Sequence, residues 1–247
     1  FIYVSGDAYV DHPSFGTAII SRVLDALGFS VAILPQPRWD RDDDFLKFGV
    51  PKLGFLVSSG NIDSIVNHYT VSKKKRNKDL YSEGGELGHR PDYAVIVYSK
   101  IIKRLFPNSP VIIGGVEASL RRLAHYDYYK NKVLKSILLE SNADIISYGM
   151  GEKTITEIAE ALQSGLNIKD IIYLRGTVWK TKDKSLLPED GIFLPTFNQT
   201  SSDKLHYAKS FKTQYENTDP YSSKPLIEQY GEEYVVQNLP NFSFERE

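Results

Sequence analysis

The chain has 247 residues, of which 41% are hydrophobic and 25% charged, and a formal net charge of -1. These are ordinary globular values, so a disordered or collagen-like polypeptide is excluded. With 30 Lys+Arg against 31 Asp+Glu, the balance argues against a generally basic nucleic-acid glove and no clear nucleic-acid binding is expected, although a local patch is not excluded. Cysteine is absent, which removes disulfides, thiolate zinc sites, a Cys nucleophile and any iron–sulfur cluster held by this chain. No apolar run approaches the ~20 residues needed to cross a membrane. There is no signal-peptide pattern either, so no membrane partner is expected. The single Met is Met150, and the chain is expected to be an excerpt of a longer polypeptide.

Residues 1–5 (FIYVS) read as a buried strand ending at Gly6. A polar loop follows. Residues 16–28 then place Ala18, Ile19, Val23, Leu24 and Leu27 on one helical face. Residues 29–34 (FSVAIL) read as a second strand, stopped by Pro35 and Pro37. Strand, glycine-bounded loop, helix and strand make a βαβ unit, which implies parallel pairing. The pattern recurs. Residues 53–58 (LGFLVS) read as a third strand, followed by a polar insertion at 72–90 that contains KKKRNK. Residues 92–106 read as a helix with Ala94, Val97, Ile101 and Leu105 on one face. Residues 110–113 (PVII) are a fourth strand closed by Gly114-Gly115, and residues 118–140 are expected to be helical in pieces. Residues 144–148 (DIISY) are a fifth strand, and residues 154–162 an amphipathic helix that ends at Gly165.

After Gly165 the rhythm changes. GTVWKT and GIFLP read as short strands, residues 201–215 as one helix, and YGEEYVVQN as a hairpin. The expected fold is therefore α/β: a doubly wound, five-stranded parallel sheet over residues 1–165, with a mixed α+β appendage and linker over 166–247.

In open parallel sheets, ligands bind beyond the carboxyl ends of the strands. The loops at 6–15, 58–61, 114–119 and 149–153 lie there, and glycine in such loops lets a ligand approach the backbone closely. His12, beside Asp11, either donates to a ligand or metal or bonds its own turn. The other histidines are scattered, and none has the spacing of a zinc helix. The segment RRLAHYDYY groups Arg121, Arg122, His125, Tyr126, Asp127 and Tyr128. It suits an acidic or aromatic partner, or else packs its tyrosines as a helix surface. The KKKR run at 73–76 either touches phosphates or is a solvated loop. There is no nucleophile elbow, phosphate-binding lysine loop or GxGxxG after the first strand. A nicotinamide dehydrogenase or a stand-alone nucleotide-binding enzyme is thereby disfavoured, and no catalytic residue is assigned.

The strings VSGDAYVDHPSFG, SSGNIDSIVNHYT, VIIGGVEASLRRLAHYDYY and YGMGEKTITEIAEAL resemble the N-terminal region of the YgiQ-type radical-SAM family across nearly the whole chain. GGVEAS followed by ADIISYGMGEKTITEIAEAL is also similar to the cobalamin-binding-like, Rossmann-like domain that precedes many radical-SAM barrels. That resemblance implies a five-stranded parallel sheet with cobalamin, when present, lying across the strand ends. The DxHxxG of domains that supply a histidine ligand is mis-spaced here, as DHPSFG. The CxxxCxxC that holds a [4Fe-4S] cluster for S-adenosylmethionine is absent, so cluster and S-adenosylmethionine are implied only for a longer parent.

The resemblance implies an N-terminal accessory domain of a cytoplasmic radical-SAM enzyme of unknown substrate. It would shape a substrate or cobalamin cavity and partner a barrel in the same polypeptide. Asp11, His12, Ser14, Ser58, Ser59, Gly60, Gly114, Gly115, Glu117, Gly149, Gly151 and Glu152 would line the cavity. No metal ligand is expected. The alternative is a structural module without a small-molecule ligand, docking on the barrel or on another subunit.

Overall fold

The computed structural model describes residues 1–9 and 15–243. The first half follows the expected alternation. Strands β1 (Ile2–Ser5), β2 (Ala32–Pro35), β3 (Phe55–Ser58) and β4 (Val111–Ile113) are joined in turn by α1 (Phe15–Ala26), by the short α2 (Asp43–Leu46), and by α3 (Ser64–His68) with α4 (Ala94–Leu105). After β4 come α5 (Gly115–Leu120), the strands β5 (His125–Asp127) and β6 (Lys132–Leu134), and α6 (Ile137–Glu140). Strand β7 (Ile145–Ser147) and α7 (Glu152–Gln163) complete the unit. β2, β1, β3, β4 and β7 lie side by side in that order, every pair parallel.

The chain beyond residue 165 adds β8 (Thr177–Thr181), β9 (Ile192–Phe193), α8 (Phe197–Ser202), α9 (Lys204–Glu216), β10 (Leu226–Tyr230) and β11 (Glu233–Gln237). Its strands extend the same sheet. β8 pairs antiparallel with β7, β11 with β8 and β10 with β11, while β9 runs parallel to β10 at the edge. Among the described residues the sheet thus has nine strands, in the order β2-β1-β3-β4-β7-β8-β11-β10-β9.

The two-residue period of each strand divides the core into two layers. Ile2, Val4, Val57, Val111, Ile113 and Ile146 face α4, α5 and α6, whose Val95, Tyr98, Ile102, Ala118 and Leu138 cover them. Tyr3, Leu56, Ile112 and Ile145 face the other way, under Leu24 of α1 and Ile155, Ile158 and Ala159 of α7. Strands buried on both faces carry near-continuous apolar runs, as parallel sheets require.

One local expectation is incomplete and another needs correction. Residues 118–140 are helical only at their ends, because β5 and β6 form a two-stranded antiparallel hairpin in between. Its turn holds Asn131 in the left-handed region at φ 53°, which asparagine tolerates better than most residues. The Lys130 amide also donates to Asp127 Oδ1 at 2.8 Å. Residues 201–215 are not one helix. Asp203 is extended (φ -136°, ψ 126°), so α8 ends there, and its side chain caps α9 by accepting from the Leu205 amide.

Candidate functional site

The carboxyl ends of the parallel strands carry two regions of opposite character. At the β1–β3 boundary, where strand order reverses, the chain fills the space itself. Gly6 and Gly60 permit this, since a Cβ on Gly6 would meet the Ser59 backbone and one on Gly60 would meet the Asp7 carboxylate. Into this corner the insertion at 72–90 delivers Arg90. Its guanidinium lies 3.1 Å from Asp7 Oδ1, donates through Nε and Nη2 to Asp79 at 3.2 and 3.1 Å, and donates to the Ser59 carbonyl at 2.7 Å. Asp7, Asp79 and Arg90 are all buried. His68 continues the cluster. Its Nδ1 is 2.6 Å from Asp92 Oδ1 and its Nε2 is 3.6 Å from Asp79 Oδ2. Burial opposes a charge on His68, but the two carboxylates outweigh it and raise its pKa. Burial likewise works against the Asp79 charge, yet His68 and Arg90 hold that carboxyl well below the usual range. The insertion is tied down further by the Ala8 amide on the Tyr81 carbonyl and by Gln36 Nε2, which donates to Gly6 O and Ser82 Oγ.

At the ends of β4 and β7, on the face covered by α1 and α7, the chain leaves an open groove of about 270 Å³. Tyr3, Leu56, Ile112 and Ser147 form its floor, Ile19 and Ile20 of α1 one wall, and Glu152 and Ile155 of α7 the other. Gly114, Gly115, Gly149 and Gly151 form the rim. The polar groups here are few and uncommitted. Ser147 is only 7% exposed. Its Oγ and Glu152 Oε2 are buried and have no hydrogen-bond partner among the described residues. A buried hydroxyl without a partner costs free energy, which a ligand's polar group would recover. Glu152 also opens α7, where the first-turn amides favour an acceptor. The groove is therefore apolar, glycine-rimmed and polar at one edge, which suits a flat, largely apolar ligand held by a few hydrogen bonds.

The structure distributes the expected site residues between these regions. Gly114, Gly115, Gly149, Gly151 and Glu152 converge on the groove. Ser58, Ser59 and Gly60 belong instead to the closed corner. Ser58 Oγ accepts from the Tyr3 hydroxyl and the Gly60 amide, and Ser59 Oγ donates to the Ile62 carbonyl. Glu117 is fully buried and faces the opposite layer. Its Oε2 accepts from the Ser64 amide and hydroxyl at 2.9 and 2.6 Å, and its Oε1 accepts from the Val95 amide at 3.1 Å. It joins the start of α3 to the start of α4. Burial raises its pKa and the nearby Asp63 charge adds to that, against the pull of Arg121. Asp11, His12 and Ser14 lie outside the described residues.

The RRLAHYDYY segment is split in the same way. Arg121 is paired with Asp63, which also caps α3. Arg122 donates to Gln237 Oε1 and the Ser119 carbonyl, both at 2.6 Å, beside the Tyr148 ring. His125 Nδ1 lies 3.1 Å from the Leu123 carbonyl, and burial lowers the pKa of His125 to about 4. Asp127 is buried and accepts from the Tyr93 hydroxyl, whereas Tyr126 and Tyr128 are exposed.

Reasoning from the sequence missed Asp7, Asp79, Arg90 and His68, and also Ser147. The ion cluster has no short motif. Ser147 is marked only by its place as the last residue of an apolar strand before a glycine loop.

The Radical SAM N-terminal family model matches residues 1–247. A UPF0313 protein of Clostridium botulinum (strain ATCC 19397 / Type A) is 56% identical over 240 residues, covering 97% of this chain and 37% of that protein. A UPF0313 protein of Clostridium perfringens (strain 13 / Type A) is 51% identical over 247 residues, covering 100% of this chain and 37% of that protein. The chain thus spans 37% of the length of these curated relatives. Among solved structures, it is similar to the radical S-adenosylmethionine methyltransferase TsrM from Kitasatospora setae with tryptophan substrate and a SAM analog bound. The TM-score is 0.47 and the identity 17%, over 73% of this chain and 28% of that one. The TsrM structure with cobalamin and a [4Fe-4S] cluster bound gives the same TM-score and identity.

Proposed function

The chain belongs to the Radical SAM N-terminal family, and on that premise we propose that it is the accessory domain of a cytoplasmic radical-SAM iron–sulfur enzyme. Its groove between α1 and α7 forms part of the cavity for the substrate or for cobalamin, and the rest of that cavity comes from a radical-SAM barrel in the same polypeptide. The observation that carries this reading is the groove itself: an apolar floor, a glycine rim, and the uncommitted Ser147 Oγ and Glu152 Oε2 at the strand ends. Among the described residues no helix is long and apolar enough to cross a membrane.

The residues present fit the proposed groups unequally. Gly114, Gly115, Gly149 and Gly151 let a ring system approach the backbone, and Ser147 and Glu152 offer it hydrogen bonds. About 270 Å³ accommodates one ring-sized portion of a cofactor as large as cobalamin, which when bound supplies methyl-transfer or radical chemistry. The chain contributes orientation there and excludes water from the apolar floor. A [4Fe-4S] cluster does not fit this chain, since it has no cysteine. In this reading the cluster and S-adenosylmethionine belong to the barrel.

Thermal unfolding with excess hydroxocobalamin, compared with an Ile20→Trp variant that fills the groove, tests the proposal. Ligand at about 100 times its dissociation constant stabilises by roughly 2.7 kcal/mol, a shift of several degrees for a chain of this size. The variant should lose that shift. No shift in the wild-type chain would remove cobalamin from the proposal. It would favour the structural module, whose sheet simply continues through β8–β11 and docks by its outer surface.

A further inference from the structure

Away from the strand ends, the fold brings together two segments that are remote in sequence. The turn at 69–76 faces the β5–β6 hairpin across a second cavity, of about 510 Å³. Tyr69, Val71, Lys73 and Arg76 line one side, and Tyr126 and Tyr128 the other. The two sides are pinned to each other. The Tyr128 hydroxyl donates to the Val71 carbonyl at 2.9 Å, Lys73 Nζ lies 5.0 Å from the centre of the Tyr128 ring, and the Tyr69 and Tyr129 ring centres are 4.2 Å apart.

The charges at this place are unbalanced. Its carboxylates are spent internally: Asp63 on Arg121, Asp127 on the Tyr93 hydroxyl and the Lys130 amide, and Asp92 on His68 and Tyr69. The cations of the turn are not buried. Lys73, Lys74, Lys75, Arg76 and Lys78 are all exposed, as are Lys130 and Lys132 on the hairpin. On the same hairpin, Tyr126 and Tyr128 are 45% and 56% exposed. Cations beside half-exposed aromatic rings provide the two contacts a flexible nucleic-acid strand needs, phosphates on the charges and bases on the rings. An acidic peptide would use the charges and leave the rings idle.

From this juxtaposition we infer that the groove between the 69–76 turn and the β5–β6 hairpin binds single-stranded nucleic acid. The near-neutral charge of the whole chain confines the contact to this patch. It is separate from the groove between α1 and α7, so either site can fail without the other.

Fluorescence anisotropy of a fluorescein-labelled oligouridylate of roughly 12 nucleotides, titrated with the 247-residue chain at several salt concentrations, tests the inference. Saturable binding that weakens with salt is expected. Lys73→Gln with Arg76→Gln should reduce the log–log salt slope by about 1.4, two single-strand phosphate contacts. Tyr128→Leu should weaken binding about tenfold, and Tyr128→Phe, which keeps the ring and loses only the bond to the Val71 carbonyl, should weaken it less. Unchanged thermal midpoints would show that the variants are folded. Absence of saturable binding at low salt would overturn the inference, as would variants that bind like the parent. So would an oligoglutamate of equal charge that binds as tightly and suffers the same loss in Tyr128→Leu, which would make the site one for acidic peptides.

Discussion

The β1–β3 corner and the groove beside β4 and β7 occupy equivalent places in the fold, both at carboxyl strand ends, yet one is sealed and the other open. In doubly wound sheets of this strand order the crevice at the reversal is the usual ligand site. Here Arg90, Asp7 and Asp79 fill the corner as a buried ion cluster, and the open space lies under α1 and α7 at the glycine rim, where Tyr3 of β1 and Leu56 of β3 share the floor with Ile112 and Ser147. The comparison teaches that topology nominates strand ends, but the chain's own side chains decide which of them remain available. A buried charge cluster is costly to assemble and more costly to break, so the sealed corner acts as scaffold. An apolar groove with one orphaned hydroxyl is easily altered and suits a site.

The sharpest way to break this contrast is Arg90→Met. It removes the guanidinium that Asp7 and Asp79 share and leaves only His68 beside Asp79, and removing one partner of such a cluster costs about 3–5 kcal/mol, on the order of ten degrees in the unfolding midpoint. A loss under about 1 kcal/mol would mean that charge does not seal the corner. Glu117→Gln comes next. The amide nitrogen of Gln donates and cannot accept, so either the Ser64 or the Val95 donors lose their acceptor, and about 1–3 kcal/mol should be lost. Because Glu117 faces away from the groove, any ligand-induced shift should survive the substitution. Loss of that shift would return Glu117 to the site. A smaller effect follows from His68, whose folded pKa is raised. Its contribution is fully present below about pH 6.5, the unfolded value, and is lost as pH rises through the folded value. The midpoint of the parent should therefore fall, relative to His68→Gln, as pH is raised above that point. Parallel pH profiles would exclude His68 from the lock.

Much of the fold was legible because periodicity is local. FIYVS, LGFLVS, PVII and DIISY are apolar runs of strand length, but of the residues read as the helical face of 92–106 only Ala94 is fully buried, and the stripe that packs in α4 runs through Val95, Tyr98 and Ile102. The order of β8, β11 and β10 was not legible, since pairing across the sheet leaves no trace in any one strand. The β5–β6 hairpin was hidden because Arg, Leu, Ala and Lys favour helix, while Asn131 and Asp127 set the turn and the Tyr207 hydroxyl holds the Tyr126 amide from α9. In the site, the glycine pairs at 114–115 and 149–151 could be read as close-approach loops. Arg90 could not be read, because its partners at positions 7 and 79 carry no motif.

The smallest expected effect, at Gly149, makes the comparison most direct when the same substitution is also placed at Gly60. Gly60 has φ +95° and Gly149 has φ +71°, so alanine at either position carries a left-handed backbone penalty of about 1 kcal/mol. The surroundings differ. A Cβ at Gly60 falls on the Asp7 carboxylate, whereas a Cβ at Gly149 meets nothing within 4 Å. Gly149→Ala should therefore lose only the backbone penalty, a midpoint drop of about 2–4 degrees. Gly60→Ala should lose that and, by displacing Asp7 from Arg90, much of what Arg90→Met loses. The difference between the two midpoints isolates the packing of the corner from the conformational preference of glycine. If the two alanine variants unfold together, the corner yields as readily as the open rim, and the division between a sealed scaffold and an open site fails.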